Sequence, residues 1–463
     1  MVRVCLVSLL ALAAACVKPA PYQCASSDDC GPGDVCVPAP GGGMQCAGGG
    51  GDGGDGGGDR PDAAGFAQEC VPGSAIDRAA TSCPAVCDRM PSCCAASWTR
   101  LCVQLAETEC HLGCSRRVAF ASTGAVDVHD IAADGAGVVL TALPRFGTAG
   151  GRYRSVAWVD FERDHQAELL VSTADSDTTG DEMWVLRPGD PWQTVADLGA
   201  LRDGYNGFEI GAGDYDGDGR IDVLATGIYP SLLLLRNVGP GEFVIGADPP
   251  AAIDAYLGAS FDRGDLDDDG RDDLVVIDYY TGRGRIVRWN DDRFEAGGEL
   301  GPYDAPRRVT LGDVDGDHDL DLAVADGDYV RVLRTSAGAF EPTELWAFTV
   351  EHGDFTDAAW IDVDGDHDLD LAVVEAPFGG GPLRLFENIG GDLTDQPRWQ
   401  SVGREVAQKL AVGDVDGDGD LDLAIANEEG PDRIYLNDGD WTFSVGWTAP
   451  DAQPSFGVAL GPQ

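Results

Sequence analysis

Six short segments of the sequence place carboxylates at alternate positions, which is the spacing a loop needs to bind a hard divalent cation. The full copies are DYDGDGRID at 214–222, DLDDDGRDD at 265–273, DVDGDHDLD at 313–321 and again at 362–370, and DVDGDGDLD at 414–422, with a weaker copy, DFERDHQAE, at 160–168. Ca²⁺ takes six to eight oxygen ligands at about 2.3–2.6 Å, and alternate residues of a turning loop can all face one ion. The pattern therefore predicts repeated calcium sites.

The predicted ligands are the side chains at loop positions 1, 3, 5 and 9 and the backbone carbonyl at position 7. In the full copies they are Asp214, Asp216, Asp218, Arg220 and Asp222; Asp265, Asp267, Asp269, Arg271 and Asp273; Asp313, Asp315, Asp317, Asp319 and Asp321; Asp362, Asp364, Asp366, Asp368 and Asp370; and Asp414, Asp416, Asp418, Asp420 and Asp422. A sixth candidate site has Asp160, Glu162, Asp164 and Glu168.

Two alternatives to these calcium loops carry less weight. An EF-hand needs a bidentate Glu at position 12 and flanking helices, whereas position 12 here is apolar and the flanking segments alternate as strands do. A solvated acidic surface would not repeat the same spacing in every copy. Position 6, the sharp turn, is Gly in three loops and His318 or His367 in two, and we interpret these histidines as turn residues rather than ligands.

The acidic segments mark a repeat, since successive copies start 48 to 54 residues apart. Each unit contains four short segments of alternating hydrophobicity separated by turn residues, the pattern of a four-stranded antiparallel blade. The chain ends in SFGVALGPQ, which reads like the first strand of one more unit, and 118–150 supplies strands that lack such a lead-in. We therefore predict an all-β, seven-bladed β-propeller over 118–463, with one blade built from both ends of the repeat region.

The residues that follow the acidic segments carry a family resemblance. LDLAVA at 320–325 and LLLLRNVGPGEF at 232–243 complete a motif that resembles the FG-GAP/VCBS repeat. The resemblance covers about 155–463. It implies the calcium-binding propeller of integrin α subunits and many bacterial surface proteins, and it says little about the ligand that this propeller binds.

Fourteen cysteines are confined to the first 114 residues. Four of them lie in 24–46 and eight in 66–117, which predicts two small disulfide-rich modules, the second with a short helix near Leu101–Glu109. Zinc is the poorer interpretation of both, because the first module has no CxxC pair or histidine and the second has one histidine. Between them, 47–65 is rich in Gly and Asp and is predicted to be a flexible linker.

The first residues are interpreted as an export signal. An apolar run follows Arg3, and three alanines precede Cys16, which resembles a bacterial lipobox. We predict a signal peptide at 1–15, lipidation of Cys16, and a small cysteine-rich module at 16–46. Lipidating Cys16 and removing Cys5 would leave an even number of cysteines. An ordinary secretory signal is the alternative.

The net charge of −49, from 31 basic and 80 acidic residues, excludes a nucleic-acid binder that works by neutralising phosphates. We expect an exported, lipid-anchored binding or adhesion protein at a bacterial outer membrane or cell surface, with a glycan or protein partner. The alternative is an extracellular polysaccharide lyase or hydrolase on a propeller scaffold. The sequence has no GxSxG, HExxH or P-loop motif, so we predict no enzyme.

Overall fold

A computed structural model describes residues 34–38, 44–48, 73–74 and 83–462. Within the last range it omits 96, 111, 135–136, 148–150, 162–165, 174–181, 190, 201–208, 217, 227–231, 240–241, 247–257, 270, 291–292, 337 and 440. The chain forms two compact units, Met1–Ala63 and Ala64–Gln463. The predicted signal peptide and Cys16 lie outside the described residues.

The first unit contains an antiparallel strand pair, β1 (Asp34–Pro38) and β2 (Met44–Gly48). Residues 36 and 46, both cysteines, are directly opposite in its register. Strand β2 continues to Gly48, past the predicted start of the linker at residue 47, because Gly48 pairs with Asp34. Most of the predicted linker lies outside the described residues.

The second unit begins with a small cysteine-rich module. It contains β3 (Gly73–Ser74), α1 (Pro84–Arg89), α2 (Ser92–Ala95), β4 (Ser97–Trp98) and α3 (Arg100–Cys110). Disulfides join Cys83 to Cys110, Cys87 to Cys94 and Cys93 to Cys102. Trp98, Val86 and Ala106 are fully buried among them. The predicted disulfide-bonded module and its helix are confirmed.

Seven four-stranded antiparallel sheets follow, which are numbered here as blades 1 to 7. Blade 7 contains β5 (Arg117–Ser122), β6 (Ala125–Ala133) and β7 (Val138–Ala142). Blade 1 is β8 (Tyr153–Val159), β9 (Glu168–Thr173), β10 (Glu182–Arg187) and β11 (Gln193–Ala200). Blade 2 is β12 (Glu209–Gly213), β13 (Asp222–Thr226), β14 (Leu232–Gly239) and β15 (Glu242–Ile245).

Blade 3 is β16 (Gly258–Gly264), β17 (Asp273–Asp278), β18 (Arg283–Asn290) and β19 (Arg293–Leu300). Blade 4 is β20 (Pro306–Gly312), β21 (Asp321–Asp326), β22 (Tyr329–Ser336) and β23 (Ala339–Thr349). Blade 5 is β24 (Phe355–Ile361), β25 (Asp370–Glu375), β26 (Arg384–Phe386) and, after the hairpin β27 (Asn388–Ile389) and β28 (Asp392–Leu393), β29 (Trp399–Gln400). Blade 6 is β30 (Val406–Gly413), β31 (Asp422–Glu429), β32 (Arg433–Asn437) and β33 (Phe443–Thr448).

The ring is closed by the end of the chain. Strand β34 (Ser455–Gly461) pairs with β5, with Gly461 opposite Arg117 and Ser455 opposite Ser122. The hydroxyls of Ser122 and Ser455 hydrogen-bond at 2.9 Å. This confirms the seven-bladed propeller with one blade assembled from both ends of the repeat region. Such closure removes the open sheet edges that an unfinished ring would expose.

Glycines at the ends of first strands let neighbouring blades approach closely. A Cβ on Gly312 of blade 4 would lie 2.5 Å from the Trp360 ring of blade 5. A Cβ on Gly461 of blade 7 would lie 2.3 Å from the Trp158 ring of blade 1. Both tryptophans are buried, so they pack between blades and are not an exposed sugar-stacking surface.

Candidate metal centres

The acidic loops connect the first and second strands of blades 1 to 6. Position 1 follows the last residue of the first strand, and position 9 is the first residue of the second strand. Because the strand ends fix both sides of the loop, the carboxylates are brought together at one face of the ring. In the five full loops, three carboxylates have oxygens that all lie within 4.8 Å of one another.

Positions 1 and 3 belong to every one of these clusters. The third member is position 5 in the loops of blades 2 and 3, and position 9 in the loops of blades 4, 5 and 6. The clusters are Asp214, Asp216 and Asp218; Asp265, Asp267 and Asp269; Asp313, Asp315 and Asp321; Asp362, Asp364 and Asp370; and Asp414, Asp416 and Asp422.

In blades 2, 4, 5 and 6 the position-9 carboxylate anchors the loop to its blade. In blade 6, Asp422 accepts hydrogen bonds from the backbone N–H of Val415 at 2.7 Å and of Asn437 at 2.8 Å. Asp370 is bonded in the same way by Val363 and Asn388 in blade 5. One side chain thus joins the start of its loop to the third strand.

The five full loops turn through residues in the left-handed region. At position 6, Gly219 and Gly419 have φ values of 87° and 100°, and His318 and His367 have 78° and 77°. The two histidines therefore occupy the turn, as the sequence predicts. Their backbone N–H groups donate to the position-1 carboxylates at 3.0 and 3.1 Å. Position 4 is also left-handed, for example at Asp268 with a φ of 58°, a feature that our sequence analysis did not include.

The clusters contain carboxylate oxygens that the protein itself does not satisfy. Oδ1 of Asp313 and Oδ1 of Asp315 are buried and accept no hydrogen bond within the described part of the chain. Burial raises the pKa of Asp321 to about 7 and of Asp370 and Asp422 to about 8, although backbone hydrogen bonds act in the opposite direction. Closely spaced, desolvated carboxylates of this kind fit a hard divalent cation such as Ca²⁺.

Not every predicted ligand joins its cluster. The position-5 side chains Asp317, Asp366 and Asp418 are not members of their clusters. Each accepts a backbone hydrogen bond from position 7 at 2.9–3.0 Å, as do the cluster members Asp218 and Asp269. At position 7 the predicted ligand is the backbone carbonyl oxygen and not the side chain. The Arg220 side chain there pairs with Asp218 at 2.8 Å.

Four blades place an arginine against the acidic loop, which our sequence analysis missed. On the third strand, opposite position 9, lie Arg187, Arg236, Arg288 and Arg334 in blades 1 to 4. Three of them pair with the position-3 carboxylate: Arg236 with Asp216, Arg288 with Asp267 at 3.1 Å, and Arg334 with Asp315 at 2.7 Å. Their recurrence at one register position is a signal that aligning the repeats would have revealed.

Blades 5 and 6 carry Glu387 and Leu436 at this position instead. Within the described residues, no arginine or lysine pairs with the clusters of 362–370 and 414–422, although the Trp441 indole N–H donates to Asp364 at 2.9 Å. These two clusters therefore lack the third-strand arginine that pairs with the clusters of blades 2 to 4. The nearest cations come from outside their own blades, since Arg89 donates to the carbonyl of His367 and the charge of Arg116 acts on Asp414.

Blade 1 differs most from the others. The guanidinium of Arg187 pairs directly with Glu168, the position-9 residue, which is fully buried. Glu168 also accepts a hydrogen bond from the backbone N–H of Phe161 at 3.0 Å. Asp160 is buried, and the predicted ligands Glu162 and Asp164 lie outside the described residues. The positively charged guanidinium of Arg187 therefore lies beside the sixth candidate site.

The cysteine-rich module contacts the same face of the ring. It leads into β5, the second strand of blade 7, and second strands begin at the loop face. The Glu107 carboxylate of α3 is fully buried and accepts a hydrogen bond from the backbone N–H of Asp414 at 3.4 Å. Arg89 donates to the carbonyl of His367 at 3.3 Å. The module therefore rests on the loops of blades 5 and 6.

A comparison with known protein families identifies the repeat. The FG-GAP-like repeat matches at 265–324, 313–373, 362–425 and 414–462. Residues 265–462 are FG-GAP-like repeats. The matched segments cover blade 3 from its acidic loop onward, blades 4 to 6 and the closing strand β34, and they include four of the five carboxylate clusters. No curated protein matches the sequence.

Solved structures with a similar fold are distant in sequence. A Lactobacillus plantarum protein has a TM-score of 0.54 at 14% identity, over 74% of this chain and 99% of its own. The periplasmic gluconolactonase of Pseudomonas aeruginosa has a TM-score of 0.53 at 15% identity, over 74% and 98%. A functionally unknown protein from Desulfotomaculum acetoxidans has 0.52 at 12% identity, over 75% and 99%. At this identity the likeness shows the propeller fold alone.

Proposed function

We propose that this protein is an exported binding protein whose propeller is held rigid by Ca²⁺ in five loops and presents a surface to a glycan or protein ligand. The observation that carries the proposal is the set of five carboxylate clusters in corresponding loops at one face of the ring. Repeated metal loops of this kind suit a rigid scaffold for recognition, because each loop connects two strands of its blade and a bound cation would occupy the loop carboxylates.

Calcium would act on stability rather than on chemistry. Carboxylates held within 4.8 Å of one another repel unless a cation neutralises them. With dissociation constants of about 0.1–1 mM, typical of extracellular modules, and millimolar calcium, each site adds on the order of 1 kcal/mol to the free energy of unfolding. Several such sites together would decide whether the ring stays folded.

Export and anchoring belong to the same proposal. Disulfides persist in oxidising compartments, and the module at 83–110 contains three. Among the residues that the structure describes, no helix is long and apolar enough to cross a membrane. We propose that lipidation of Cys16 attaches the chain to a bacterial outer membrane or cell surface. Incorporation of a labelled fatty acid into the wild type, but not into Cys16→Ala, tests this step.

The calcium role is tested by thermal melting of the full chain in calcium and in chelator. We expect the melting midpoint to rise by several degrees in calcium, and to rise much less in Asp416→Asn, which removes one ligand of the blade 6 cluster. The matched control is Asp395→Asn, in an exposed loop of blade 5. An identical melting midpoint in calcium and in chelator would show that calcium binding to the loops does not stabilise the fold.

The second candidate function is a carbohydrate-active enzyme. It is favoured by the shared fold with a periplasmic gluconolactonase, a likeness that extends to the scaffold and not to a site. Incubating the protein with a panel of polysaccharides and sugar lactones separates the candidates. New reducing ends, unsaturated products or released acid support the enzyme, whereas glycan or protein binding without turnover supports the binding protein.

A further inference from the structure

The cysteine-rich module covers one end of the central channel of the propeller. Its helix α3 lies over the channel at the face of the acidic loops, where Arg100 and Gln104 line a cavity of about 170 Å³. The first strands of all seven blades line the rest of this cavity, for example at Thr310 and Ala411. The charge of Arg100 acts on Asp262 in the cavity wall. The module therefore closes the cavity at the loop face, and we call it the lid.

The lid holds its shape through contacts within itself. Its three disulfides surround Val86, Trp98 and Ala106, which are fully buried in a core made of module residues. Another side of α3 faces the ring, where Leu101 joins the apolar core of blades 4 and 5. Because its core and its disulfides are internal, the lid can leave the ring as one unit while the chain still holds it to strand β5.

Polar contacts join the lid to the acidic loops of blades 5 and 6. Arg89 donates to the carbonyl of His367, at position 6 of the blade 5 loop, at 3.3 Å. Glu107 accepts a hydrogen bond from the backbone N–H of Asp414, at position 1 of the blade 6 loop, at 3.4 Å. The lid thus binds to backbone groups whose positions are set by the shapes of these two loops.

Blade 6 is shaped to receive the lid. The glycines that end the first strands of blades 4 and 7, Gly312 and Gly461, each face a tryptophan of the next blade. Gly413, the equivalent residue of blade 6, faces the lid instead. A Cβ on Gly413 would collide with Oγ of Ser115 and lie 3.2 Å from Oε2 of Glu107. The lid therefore occupies the place that a side chain of the next blade occupies elsewhere in the ring.

Asp414 connects the lid to the metal cluster of blade 6. Its backbone N–H meets Glu107, and its carboxylate belongs to the cluster with Asp416 and Asp422. Without a cation these three carboxylates repel one another when they are ionised, so the loop relaxes. Glu107 is fully buried, and a buried acceptor that loses a hydrogen bond is destabilised. A relaxed loop therefore weakens the attachment of the lid.

We propose that calcium in the loops of blades 5 and 6 keeps the lid closed, and that loss of calcium lets the lid lift as a unit and opens the cavity. The inference rests on the calcium binding proposed above. The coupling is reciprocal, so a closed lid also raises the calcium affinity of these two loops. Calcium thereby controls access to the channel as well as the stability of the ring.

Thiol labelling of the full chain measures the opening of the lid. All native cysteines lie in the first 114 residues, so Thr310→Cys places a single thiol in the ring, in the cavity wall. A maleimide that carries a polyethylene glycol chain is too large for the closed cavity, and mass spectrometry of the peptide reads its attachment. We expect labelling to be about five- to a hundredfold faster in chelator than in calcium. Equal rates, in a protein whose melting midpoint still rises with calcium, would overturn the lid and leave the stabilising role of calcium standing.

Two further variants separate lid opening from unfolding of the ring. Val171→Cys places a thiol at a fully buried position of β9 in blade 1, which reagent reaches only when the ring unfolds. It should label slowly in chelator at the same temperature. Adding Leu101→Ser to Thr310→Cys weakens the contact of α3 with blades 4 and 5 and should give fast labelling even in calcium. If Val171→Cys labels as fast as Thr310→Cys in chelator, unfolding explains the result and the proposal is wrong.

A loop variant in the same background shows which calcium site holds the lid. Asp416→Asn removes a ligand of the blade 6 cluster, so labelling of Thr310→Cys in calcium should rise towards the rate in chelator. The matched control is Asp216→Asn, which changes the same loop position in blade 2, separated from blade 6 by blades 7 and 1. Its labelling in calcium should stay slow. An equal rise in both variants, or no rise with Asp416→Asn, would contradict a lid held by the loops of blades 5 and 6.

Discussion

The guanidinium of Arg334 lies 2.7 Å from a carboxylate oxygen of Asp315, the third residue of the acidic loop in blade 4. A protein cation thus sits against a group that would ligate calcium. The same contact recurs in blades 2 and 3, through Arg236 and Arg288, and is replaced by Glu387 and Leu436 in blades 5 and 6. The five clusters are therefore electrostatically unequal although they share the same acidic spacing.

We expect the loops at 362–370 and 414–422 to bind calcium more tightly than those of blades 2 to 4. A nearby positive charge opposes a dication, so Arg334→Met should raise the affinity of the blade 4 site about three- to tenfold. Calcium titration followed by calorimetry measures this change. Arg145→Met, which removes an exposed arginine of blade 7 that pairs with Asp127 and Asp451, is the control. An affinity that stays the same in Arg334→Met would show that this arginine does not set the order of the sites.

The contact between Arg187 and Glu168 leads to a prediction of stoichiometry. Because Arg187 already neutralises the buried position-9 carboxylate, we expect the wild-type chain to retain five calcium ions and not six. Equilibrium dialysis with metal analysis gives the number directly. Arg187→Met should either gain a sixth ion or lose stability in chelator, since it leaves Glu168 buried without its cation. Six ions in the wild type would contradict the role given to Arg187.

The raised pKa values of the position-9 aspartates predict opposite pH trends with and without calcium. Burial raises the pKa of Asp370 and Asp422 to about 8, against about 3.9 in an unfolded chain. Between these limits the calcium-free folded state binds more protons than the unfolded chain, so its free energy of unfolding falls as pH rises. Calcium needs the ionised carboxylates, so its stabilising effect should grow with pH.

Melting midpoints at about pH 5.5 and about pH 8, in chelator and in calcium, check both trends. In chelator we expect the lower midpoint at the higher pH. We expect the difference in melting midpoint between calcium and chelator to be larger at the higher pH. A calcium effect of the same size at both pH values would mean that the buried aspartates do not take part in binding.

The repeat and its fold could be predicted from the sequence because both depend on local patterns. The acidic spacing at 313–321 and the alternation around it predict loop and strands directly, and the unmatched end at 455–461 predicts the closing strand. The turn histidines were predictable for the same reason, since position 6 admits only residues that tolerate positive φ.

The features that could not be predicted from the sequence depend on contacts between distant parts of the chain. Arg334 meets Asp315 only because the third strand packs beside the loop, and Glu209 meets Lys409 across the ring, 200 residues apart in sequence. Arg100 comes to the channel because the module is attached at the loop end of blade 7. Aligning the repeats would reveal the recurring third-strand arginine but not the carboxylate that it contacts, and no local pattern predicts the Glu209–Lys409 pair or the position of Arg100.

The backbone at His318 offers a test of the loop turn. Its φ of 78° suits glycine, and the side chain is exposed, with its Nδ1 3.7 Å from Asp313. His318→Val should lower the free energy of unfolding by about 1–2 kcal/mol, because a β-branched side chain is strained in the left-handed region. His318→Gly should be neutral or slightly stabilising. Denaturant unfolding in calcium measures both, and equal loss in the two variants would assign the effect to the imidazole instead of the backbone.

The contact between Gly312 of blade 4 and Trp360 of blade 5 provides a test of ring packing. A Cβ on Gly312 would lie 2.5 Å from Cδ1 of Trp360, and this ring is fully buried. Gly312→Ala should therefore cost about 1–3 kcal/mol in the free energy of unfolding, since the tryptophan must move against a close-packed core. Gly298→Ala is the matched control, because its new Cβ would meet only Cδ1 of Ile286 at 3.7 Å. If both variants unfold at the same denaturant concentration, the inter-blade contact is looser than the structure shows, and Trp360 does not fix the spacing of the two blades.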